Sequence, residues 1–568
     1  MIGNETFVGN PVNLGISRSK FHFAPCNTGS FNAGKLVPFY FDADVLPGST
    51  YKVDLRCLVR GSTPVAVPMD NSYLDVYYFF VPNKILLSRQ SMSPSVNDGN
   101  HSWASFVGAQ DGLLNMPLPS EDRKLPSFAI GEGVEGPNEP AVGGLWDWTG
   151  QTMGPISDII DVNPLPFLAY FKVWNDFFRD PNGSMNPVTF SISGGNVYLS
   201  GGVSSMSLPS TPAIRSVKLA PVCRYHGYFG SALPWPQRNS TMVSLPIGDQ
   251  APLLVNGSYK MAKGSDFVDG TSSSIMVAGN VVGNTGTQTG ISYNSIYNQS
   301  NLWADLSQCA GVTVNQFRLL VQEQRWFEAL ARSGNNTLAE LTAGMFNVTP
   351  SDAVADRAQL LGCKRIPLNI IQVNNTAGNN VSSSTQSSLG STGSFSLTNS
   401  DDFIFSKSFD TWGVIIGVAC VRTDDTFHQG VEKMYTRLKP FDYYWPQFAN
   451  LGEQPVYNRE ILASGGETDD KVFGYQEAYA EYRFRQNHVC GLLRPSQSLG
   501  YWTYANDFSL VPTLNDFLDA SNEAANIDRT LQVWSTKSGF QFIGQFVTDV
   551  TAVLPMPTYS IPGLVDHH

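Results

Sequence analysis

The stretch YKVDLRCLVR (residues 51–60) alternates apolar side chains with mostly charged ones over ten positions. Successive side chains of a β-strand point to opposite faces. One face would therefore carry the five apolar residues Tyr51, Val53, Leu55, Cys57 and Val59. This period of two predicts a strand with one face buried and the other in water. The turn LPGS (residues 46–49) precedes the strand, with Pro to fix φ and Gly to accept a strained backbone position.

Other segments along the chain also predict β-structure. SYLDVYYFFVP (residues 72–82) is apolar on both faces after Asp75, which indicates a strand in the core of a β-sandwich or beneath an interface. Further strands are predicted at residues 36–42, 413–422 and 478–486. The chain is therefore expected to be mainly β.

Helices are predicted at fewer places. TVNQ (residues 313–316) is a capping box, in which the Thr hydroxyl and the Gln side chain bind backbone N–H groups at a helix start. An apolar stripe at helical spacing follows and stops at Gly334. A second box, TLAE (residues 337–340), predicts an adjoining helix, and FLAYFKVWNDFF (residues 167–178) has a third amphipathic pattern.

Three segments differ in composition from the rest. Residues 374–400 are mostly Asn, Ser, Thr and Gly with little to bury, which predicts a flexible loop or an extended surface arm. Residues 249–310 are also polar and rich in Gly, but their spaced Ile, Val and Tyr side chains predict a small β-rich surface insertion. Residues 1–30 are expected to form an N-terminal arm.

The composition fits two kinds of protein. Charged residues are 15% of the 568, while hydrophobic residues reach 42% and aromatic residues 12%, so one monomer does not readily hide all the apolar surface. An obligate assembly, whose interfaces resemble a core cut in half, fits this composition, and so does a large monomer with a generous core. The net charge of −12 means that the protein as a whole repels nucleic acid.

The N-terminus and the cysteines indicate where the protein is made. The first residues lack the basic start and apolar core of a signal peptide, and the longest apolar runs have only the length of a strand, so we expect a soluble protein made in the cytoplasm. Seven scattered cysteines, none spaced as CxxC, predict reduced thiols and neither a disulfide framework nor a zinc site.

Catalytic motifs are weak or missing from the sequence. SRSK (residues 17–20), SVN (95–97) and KSG (537–539) follow the order of the motifs of penicillin-recognising enzymes. The first of them lies in the terminal arm, however, and the third lies far beyond the second. The sequence has no G-x-S-x-G, P-loop, H-E-x-x-H or EF-hand motif. We expect no enzyme activity, no cofactor and no bound metal.

One stretch combines aromatic side chains with charged ones. FDYYWPQFANLGEQPVYNREI (residues 441–461) contains six aromatic residues, together with Asp442, Glu453, Arg459 and Glu460. Paired carboxylates here could serve a glycosidase, and aromatic side chains could form a platform for a sugar. Equally, such aromatic anchors with a charged rim are typical of a surface that meets another copy of the chain.

A series of short motifs resembles the major capsid proteins of gokushoviruses, small single-stranded-DNA phages of the microvirus group. In chain order the motifs are RSKF (18–21), FNAG (31–34), VLPG (45–48), MDNSYLD (69–75), FFVP (79–82), WNDFFRD (174–180), LPWPQ (233–237), FDYYWP (441–446), NLGEQ (450–454), VFGYQE (472–477), YAEY (479–482) and MPTYSIPGLVD (556–566). Two places depart from the family pattern, Leu168 and residues 357–363.

This resemblance implies an eight-stranded antiparallel jelly-roll barrel with long loop insertions and a few helices, as a single domain over residues 1–568. It implies copies that assemble in the host bacterial cytoplasm into a T=1 icosahedral shell around a circular single-stranded DNA genome. The implied partners are other copies of the chain, the genome, a small basic DNA-binding protein, a minor capsid or pilot protein and a host receptor. The alternative is a phage or bacterial surface adhesin or carbohydrate-binding protein built on β-sandwiches.

The resemblance also suggests roles for particular residues. Residues 441–461 fall in a family-typical block, so Tyr443, Tyr444, Trp445 and Phe448 are the candidates for contact between subunits. Arg18 and Lys20 are the candidates for DNA contact, with pairing to nearby carboxylates as the alternative. The family builds a three-fold protrusion from an insertion, for which residues 249–310 are the first candidate and 181–217 the second. Tyr293 and Tyr297 would then either bind the receptor or pack the protrusion.

Overall fold

The computed structural model describes residues 17–87, 103, 124–132, 134, 139–183, 185–237, 253–255, 259–263, 266–270, 274–275, 302–304, 314–332, 343, 346–348, 351, 356–374, 392–449, 451–531 and 540–559. The chain divides into two compact units. The larger unit combines Met1–Pro236 with Ser333–His568, and the smaller unit is Gln237–Arg332.

Nine strands form the two main sheets of the larger unit. In chain order they are β1 (Ser19–Phe23), β2 (Cys26–Phe31), β3 (Val37–Val45), β4 (Ser49–Gly61), β5 (Ser72–Pro82), β6 (Gln359–Pro367), β7 (Thr398–Phe409), β8 (Gly413–Thr423) and β9 (Phe542–Leu554). The first sheet has the order β1-β9-β4-β7, and β2 pairs with the other half of β9. The second sheet has the order β6-β5-β8-β3. All pairs in both sheets are antiparallel.

The two sheets share an apolar core. In β4 the five predicted apolar residues are buried, while Lys52, Arg56 and Arg60 are exposed, so the predicted alternation is confirmed. Across the core, the ring of Phe39 on β3 stacks on that of Phe546 on β9 with centroids 4.7 Å apart. The chain is therefore mainly β, with face-to-face antiparallel sheets at its centre.

The second sheet is covered on both of its faces. Every residue of β8 is buried, and nearly every residue of β5 is buried or half-buried, as the continuous apolar runs at 72–82 and 413–422 predict. The far side of this sheet packs on a helix, Leu165–Val173, which continues as a π-helical turn, Trp174–Phe178. Tyr170 and Trp174 fix that helix, because their side chains donate to the carbonyls of Leu36 and Pro221 at 2.8 and 2.6 Å.

The remaining helices and strands of the larger unit are short. Two-stranded pairs form between Phe128–Ile130 and Ile160–Val162, Val188–Ser193 and Asn196–Gly201, Ile370–Asn374 and Thr392–Ser396, Thr426–Phe427 and Asn487–His488, and Glu453–Tyr457 and Val472–Glu477. The α-helices are Asn83–Leu86, Leu145–Trp148, Lys433–Thr436, Leu514–Leu518 and Ala524–Asp528. The 3-10 helices are Ser204–Met206, Pro440–Asp442, Pro446–Phe448, Asn458–Glu460, Ala480–Tyr482, Gly491–Leu493, Gly500–Trp502 and Ala520–Glu523.

Three stretches differ from what their sequences predict. The predicted strand at 478–486 is wrong, because Tyr479 has a left-handed backbone (φ 59°) and starts the 3-10 helix Ala480–Tyr482. Residues 392–396 and 398–400 of the predicted flexible loop lie in strands. Their small side chains allow close packing there, and Ser394 and Ser396 are buried. Most of residues 19–30, part of the predicted arm, lie in β1 and β2, which pair with β9.

The smaller unit contains short strands and one long helix. Leu253–Val255 pairs with Ser274–Ile275 and Leu302–Ala304, and Tyr259–Lys263 pairs with Asp266–Gly270. The helix is Val314–Arg332, where the sequence predicts one. Tyr293, Tyr297 and both capping-box threonines lie outside the described residues.

Candidate assembly surface

The aromatic stretch is exposed in the isolated subunit. The side chains of Phe441 and Trp445 are 75% and 48% exposed, Tyr443 and Tyr444 are exposed to a similar degree as Trp445, and Phe448 is half-buried. We call residues 434–448 the aromatic surface. Such large apolar side chains in water are costly, so a surface of this kind is typical of a contact with another protein.

The backbone of the aromatic surface is held in a fixed shape. Asp442 Oδ2 accepts the N–H groups of Leu438 and Lys439 at 2.9 and 2.8 Å, and these bonds lower the pKa of Asp442. The indole N–H of Trp445 donates to the carbonyl oxygen of Pro440 at 2.8 Å. The exposed aromatic side chains are therefore arranged in advance, which reduces the entropy lost on binding.

Residues 479–482 pack against the aromatic surface. The rings of Tyr444 and Tyr479 meet edge to face with centroids 5.2 Å apart. Arg437 lies 4.1 Å from the ring centroid of Tyr482 and pairs with Glu481 at 2.9 Å. The aromatic surface thus rests on the 3-10 helix Ala480–Tyr482 and its flanking residues.

The carboxylates of the same stretch have structural partners. Glu460 is buried and accepts the Tyr228 hydroxyl at 2.8 Å and the N–H of Tyr457 at 2.9 Å. Burial raises the pKa of Glu460. Asp442 caps the backbone in the way described above, so both carboxylates hold the chain in shape.

A hairpin in the larger unit exposes a second apolar surface. In the pair Ile370–Asn374 and Thr392–Ser396, Ile371, Val373 and Phe395 face solvent. Ser394 faces inward and donates to the carbonyl oxygen of Pro64 at 2.9 Å. This is the reverse of the usual arrangement, in which the apolar face of a hairpin is the buried one.

The two candidate DNA-contact residues lie at the first sheet. Lys20 is on β1, and Arg18 comes just before that strand; both are exposed. Neither forms an ion pair within the part of the chain that the structure describes. β1 pairs with β9, so neither Arg18 nor Lys20 is linked to the aromatic surface by strand pairing.

Two buried polar clusters gave no signal in the sequence. Asp75 on β5 accepts from Arg365, Arg422 and Tyr225 at 2.8, 2.7 and 2.6 Å. In the second cluster, Glu523 accepts from the N–H and hydroxyl of Thr423 and lies 3.6 Å from Arg224. The members of each cluster are far apart in the sequence, so no local motif could reveal them.

Comparisons with known proteins identify the family. A family model described as "Capsid protein (F protein)" matches residues 11–564. The chain is 32% identical over 563 residues to the capsid protein VP1 of Bdellovibrio phage phiMH2K, covering 96% of this chain and 95% of that protein. It is 32% identical to the capsid protein VP1 of Spiroplasma virus 4, with 97% and 96% covered, and 30% identical to that of Chlamydia phage 1, with the same coverage.

The similarity extends over nearly the whole chain, as expected for a shell protein and not for an adhesin, whose constraints concentrate at a binding tip. All three relatives are gokushovirus proteins, so the resemblance found in the sequence motifs is confirmed. The protein has a structural role in a virion and is not an enzyme. The chain belongs to the phage capsid protein (F protein) family.

Proposed function

We propose that copies of this chain assemble into a T=1 icosahedral shell around a circular single-stranded DNA genome, and that the aromatic surface is a contact between copies. The observation that carries this proposal is the fixed backbone beneath Tyr443, Tyr444 and Trp445, whose side chains remain half-exposed. A rigid aromatic group of this kind is typical of the anchors at the centre of protein interfaces. Phe448, whose ring centroid is 5.9 Å from that of Phe441, would extend the same contact.

We further propose that β2 to β9 are the eight strands of a jelly roll. Four of them, β2, β9, β4 and β7, are in the first sheet, and β3, β8, β5 and β6 are in the second. Along the chain, every connection from β2 to β9 crosses between the sheets except the one from β5 to β6. This winding supports the jelly roll. The long insertions would lie at the β5–β6 and β8–β9 connections.

The smaller unit is our candidate for the three-fold protrusion and for host attachment. Its range, Gln237–Arg332, includes the predicted insertion at residues 249–310. Deleting residues 279–301 would leave shell assembly intact and abolish adsorption to host cells. Deletion particles that adsorb at the normal rate would exclude the segment, and residues 181–217 would then be the next candidate.

The shell itself is tested by the mass of the purified full-length protein. Size-exclusion chromatography and negative-stain microscopy should show closed particles of megadalton mass. A protein that remains monomeric or trimeric under all assembly conditions would contradict the proposal. Analysis of virions for a small basic protein tests the partner proposed to neutralise the genome, and the same analysis would reveal a minor capsid or pilot protein.

A further inference from the structure

The first sheet has a bare face. Both faces of the second sheet are covered, as β8 shows by being buried throughout. In the first sheet, β4 and β9 bury alternate residues against the core, and their other residues are exposed or half-buried. Within the described residues, no helix or strand is paired to or packed on this outer face. We call it the bare face.

The bare face has a small net positive charge, whereas the chain as a whole is acidic. Strand register places four basic and three acidic side chains on it: Lys20, Lys52, Arg56, Arg60, Asp54, Asp401 and Asp549. Four minus three gives a net charge of +1, with His22 neutral, whereas the whole chain carries −12. The remaining residues therefore sum to −13. A polyanion would meet less repulsion on the bare face than on an average part of this protein.

The acidic side chains of the bare face already have cationic partners. Asp549 is only 16% exposed; Arg56 donates to it at 2.7 Å, and His22 lies 3.3 Å away. Lys52 lies 3.5 Å from Asp54, and Arg56 lies 3.5 Å from Asp401. These carboxylates are therefore partly neutralised toward an approaching anion.

Two cations on the bare face remain free within the described part of the chain, Lys20 and Arg60. Lys20 is opposite Val553, which is opposite Thr50, so it lies in the cross-strand row of Thr50. Arg60 is ten residues further along β4, at about 33 Å from that row at the usual rise of a strand. The two free charges thus lie at opposite ends of the bare face.

Hydroxyl groups and one aromatic ring lie on the same face as these cations. The hydroxyl residues in outward-facing register are Thr28, Ser30, Thr50, Ser406, Ser408 and Thr551. Phe403 is 58% exposed, and Lys52 lies 5.7 Å from its ring centroid. Hydroxyls and cations bind phosphate oxygens, and an exposed aromatic ring beside a cation binds an unpaired base by stacking.

We propose that the bare face binds the backbone of single-stranded DNA, with Lys20 and Arg60 contacting phosphates and Phe403 stacking on a base. This inference rests on the proposed function in taking single-stranded DNA as the genome. It places the bare face toward the interior of the shell. A basic peptide is disfavoured as the occupant, because the carboxylates of the face are paired and its two free charges, on Lys20 and Arg60, are both positive.

The first test measures DNA binding by unassembled full-length subunits. The probe is a fluorescein-labelled 20-nucleotide oligo(dT), and its anisotropy is followed at several NaCl concentrations. Losing two phosphate contacts should make the slope of log K against log[NaCl] shallower by about 1.4 in the Lys20→Ala/Arg60→Ala variant. The affinity of this variant for oligo(dT) in 0.1 M salt should fall roughly tenfold. The control is Lys84→Ala/Lys471→Ala, which removes two exposed lysines elsewhere. Equal slopes for the two double variants would overturn the proposal.

Two further measurements separate stacking from charge and binding from assembly. Phe403→Ala should weaken oligo(dT) binding without changing the salt slope, and duplex DNA should bind less tightly than oligo(dT); equal binding of both would overturn the stacking role. Shells of Lys20→Ala/Arg60→Ala should form at wild-type yield with less DNA. If this variant alone fails to form shells, the bare face is a contact between copies. If wild-type protein forms no shells, the proposed function fails, while the oligonucleotide assay still decides on the bare face.

Discussion

The hydroxyl groups of Tyr78 and Thr548 lie 2.8 Å apart and join the two main sheets by a hydrogen bond through the core. Both residues are almost completely buried, and burial raises the pKa of Tyr78. Each hydroxyl is therefore the partner that the other needs, since an unpaired buried polar group costs about 1–3 kcal/mol.

Tyr78→Phe should lower the free energy of unfolding of free subunits by about 1–2 kcal/mol, because Thr548 loses its partner. Thr548→Val should have a similar effect for the same reason. The double variant should lose clearly less than the sum of the two, as measured by urea unfolding. Strictly additive losses would show that the two hydroxyls do not interact.

Trp445→Ala should abolish shell assembly while changing the stability of the free subunit by less than about 1 kcal/mol, because the side chain is half-exposed before assembly. Particle yield from size-exclusion chromatography and urea unfolding of subunits give the two quantities. Leu510→Ala, which removes another exposed apolar side chain, is the control and should assemble normally. Normal particle yield from Trp445→Ala would remove this residue from the proposed contact.

The stability of the subunit should depend on pH through Glu523. Burial raises the pKa of Glu523 from 4.5 to about 7, although Arg224 lies 3.6 Å away and the N–H and hydroxyl of Thr423 donate to it. Asp425, which pairs with Arg224, acts in the same direction as burial. The folded state then binds the proton more tightly than the unfolded state. The contribution of Glu523 to the free energy of unfolding is therefore fully present below about pH 4.5 and is lost as the pH rises through 7.

Glu523→Gln provides the comparison, because its amide is neutral at every pH in this range. The variant and the wild type should have similar free energies of unfolding at pH 5, and the variant should be the more stable of the two at pH 8. Urea unfolding at both pH values measures this difference. A difference that stays constant from pH 5 to pH 8 would contradict the assignment to Glu523.

Gly430→Ala should prevent folding of the region around Glu460. A Cβ atom at Gly430 would lie 1.9 Å from the carbonyl oxygen of Glu460, which is backbone and cannot rotate away. Gly227→Ala is a matched control, since its Cβ would meet nothing within 4 Å. We expect the first variant to yield little soluble subunit and the second to unfold within about 1 kcal/mol of the wild type.

The parts of the fold that follow a simple pattern could be predicted from the sequence. The alternation at 51–60 and the apolar runs at 72–82 and 413–422 became β4, β5 and β8, since burial on one or both faces determines those patterns. The pattern at 478–486 failed because the aromatic side chains there support Tyr444 and not a sheet. In β1 and β2 the small and polar residues give little burial signal.

The aromatic surface could be predicted from the sequence in part, and the bare face could not. The aromatic content of the sequence indicated that Tyr443, Tyr444 and Trp445 form a contact surface. The contact between Arg437 and Tyr482 beside them could not be predicted, because these two residues are 45 positions apart and meet only in the folded chain. No sequence pattern predicts the bare face, although Lys20 is among the predicted DNA-contact residues. Its residues come from five strands that span most of the chain, and only strand register places Lys20 and Arg60 on one face.

The position of β9 near the end of the sequence determines when the first sheet can be completed during synthesis. β9 lies between β1 or β2 on one side and β4 on the other, so the first sheet cannot close until residue 554 has been synthesised. Between the end of β4 at residue 61 and the start of β9 at residue 542 there are 480 residues. At ordinary rates of translation this takes roughly 25–100 s. During that interval a nascent chain lacks a complete sandwich, so we expect a subunit to become able to join a shell only when its own translation is nearly finished.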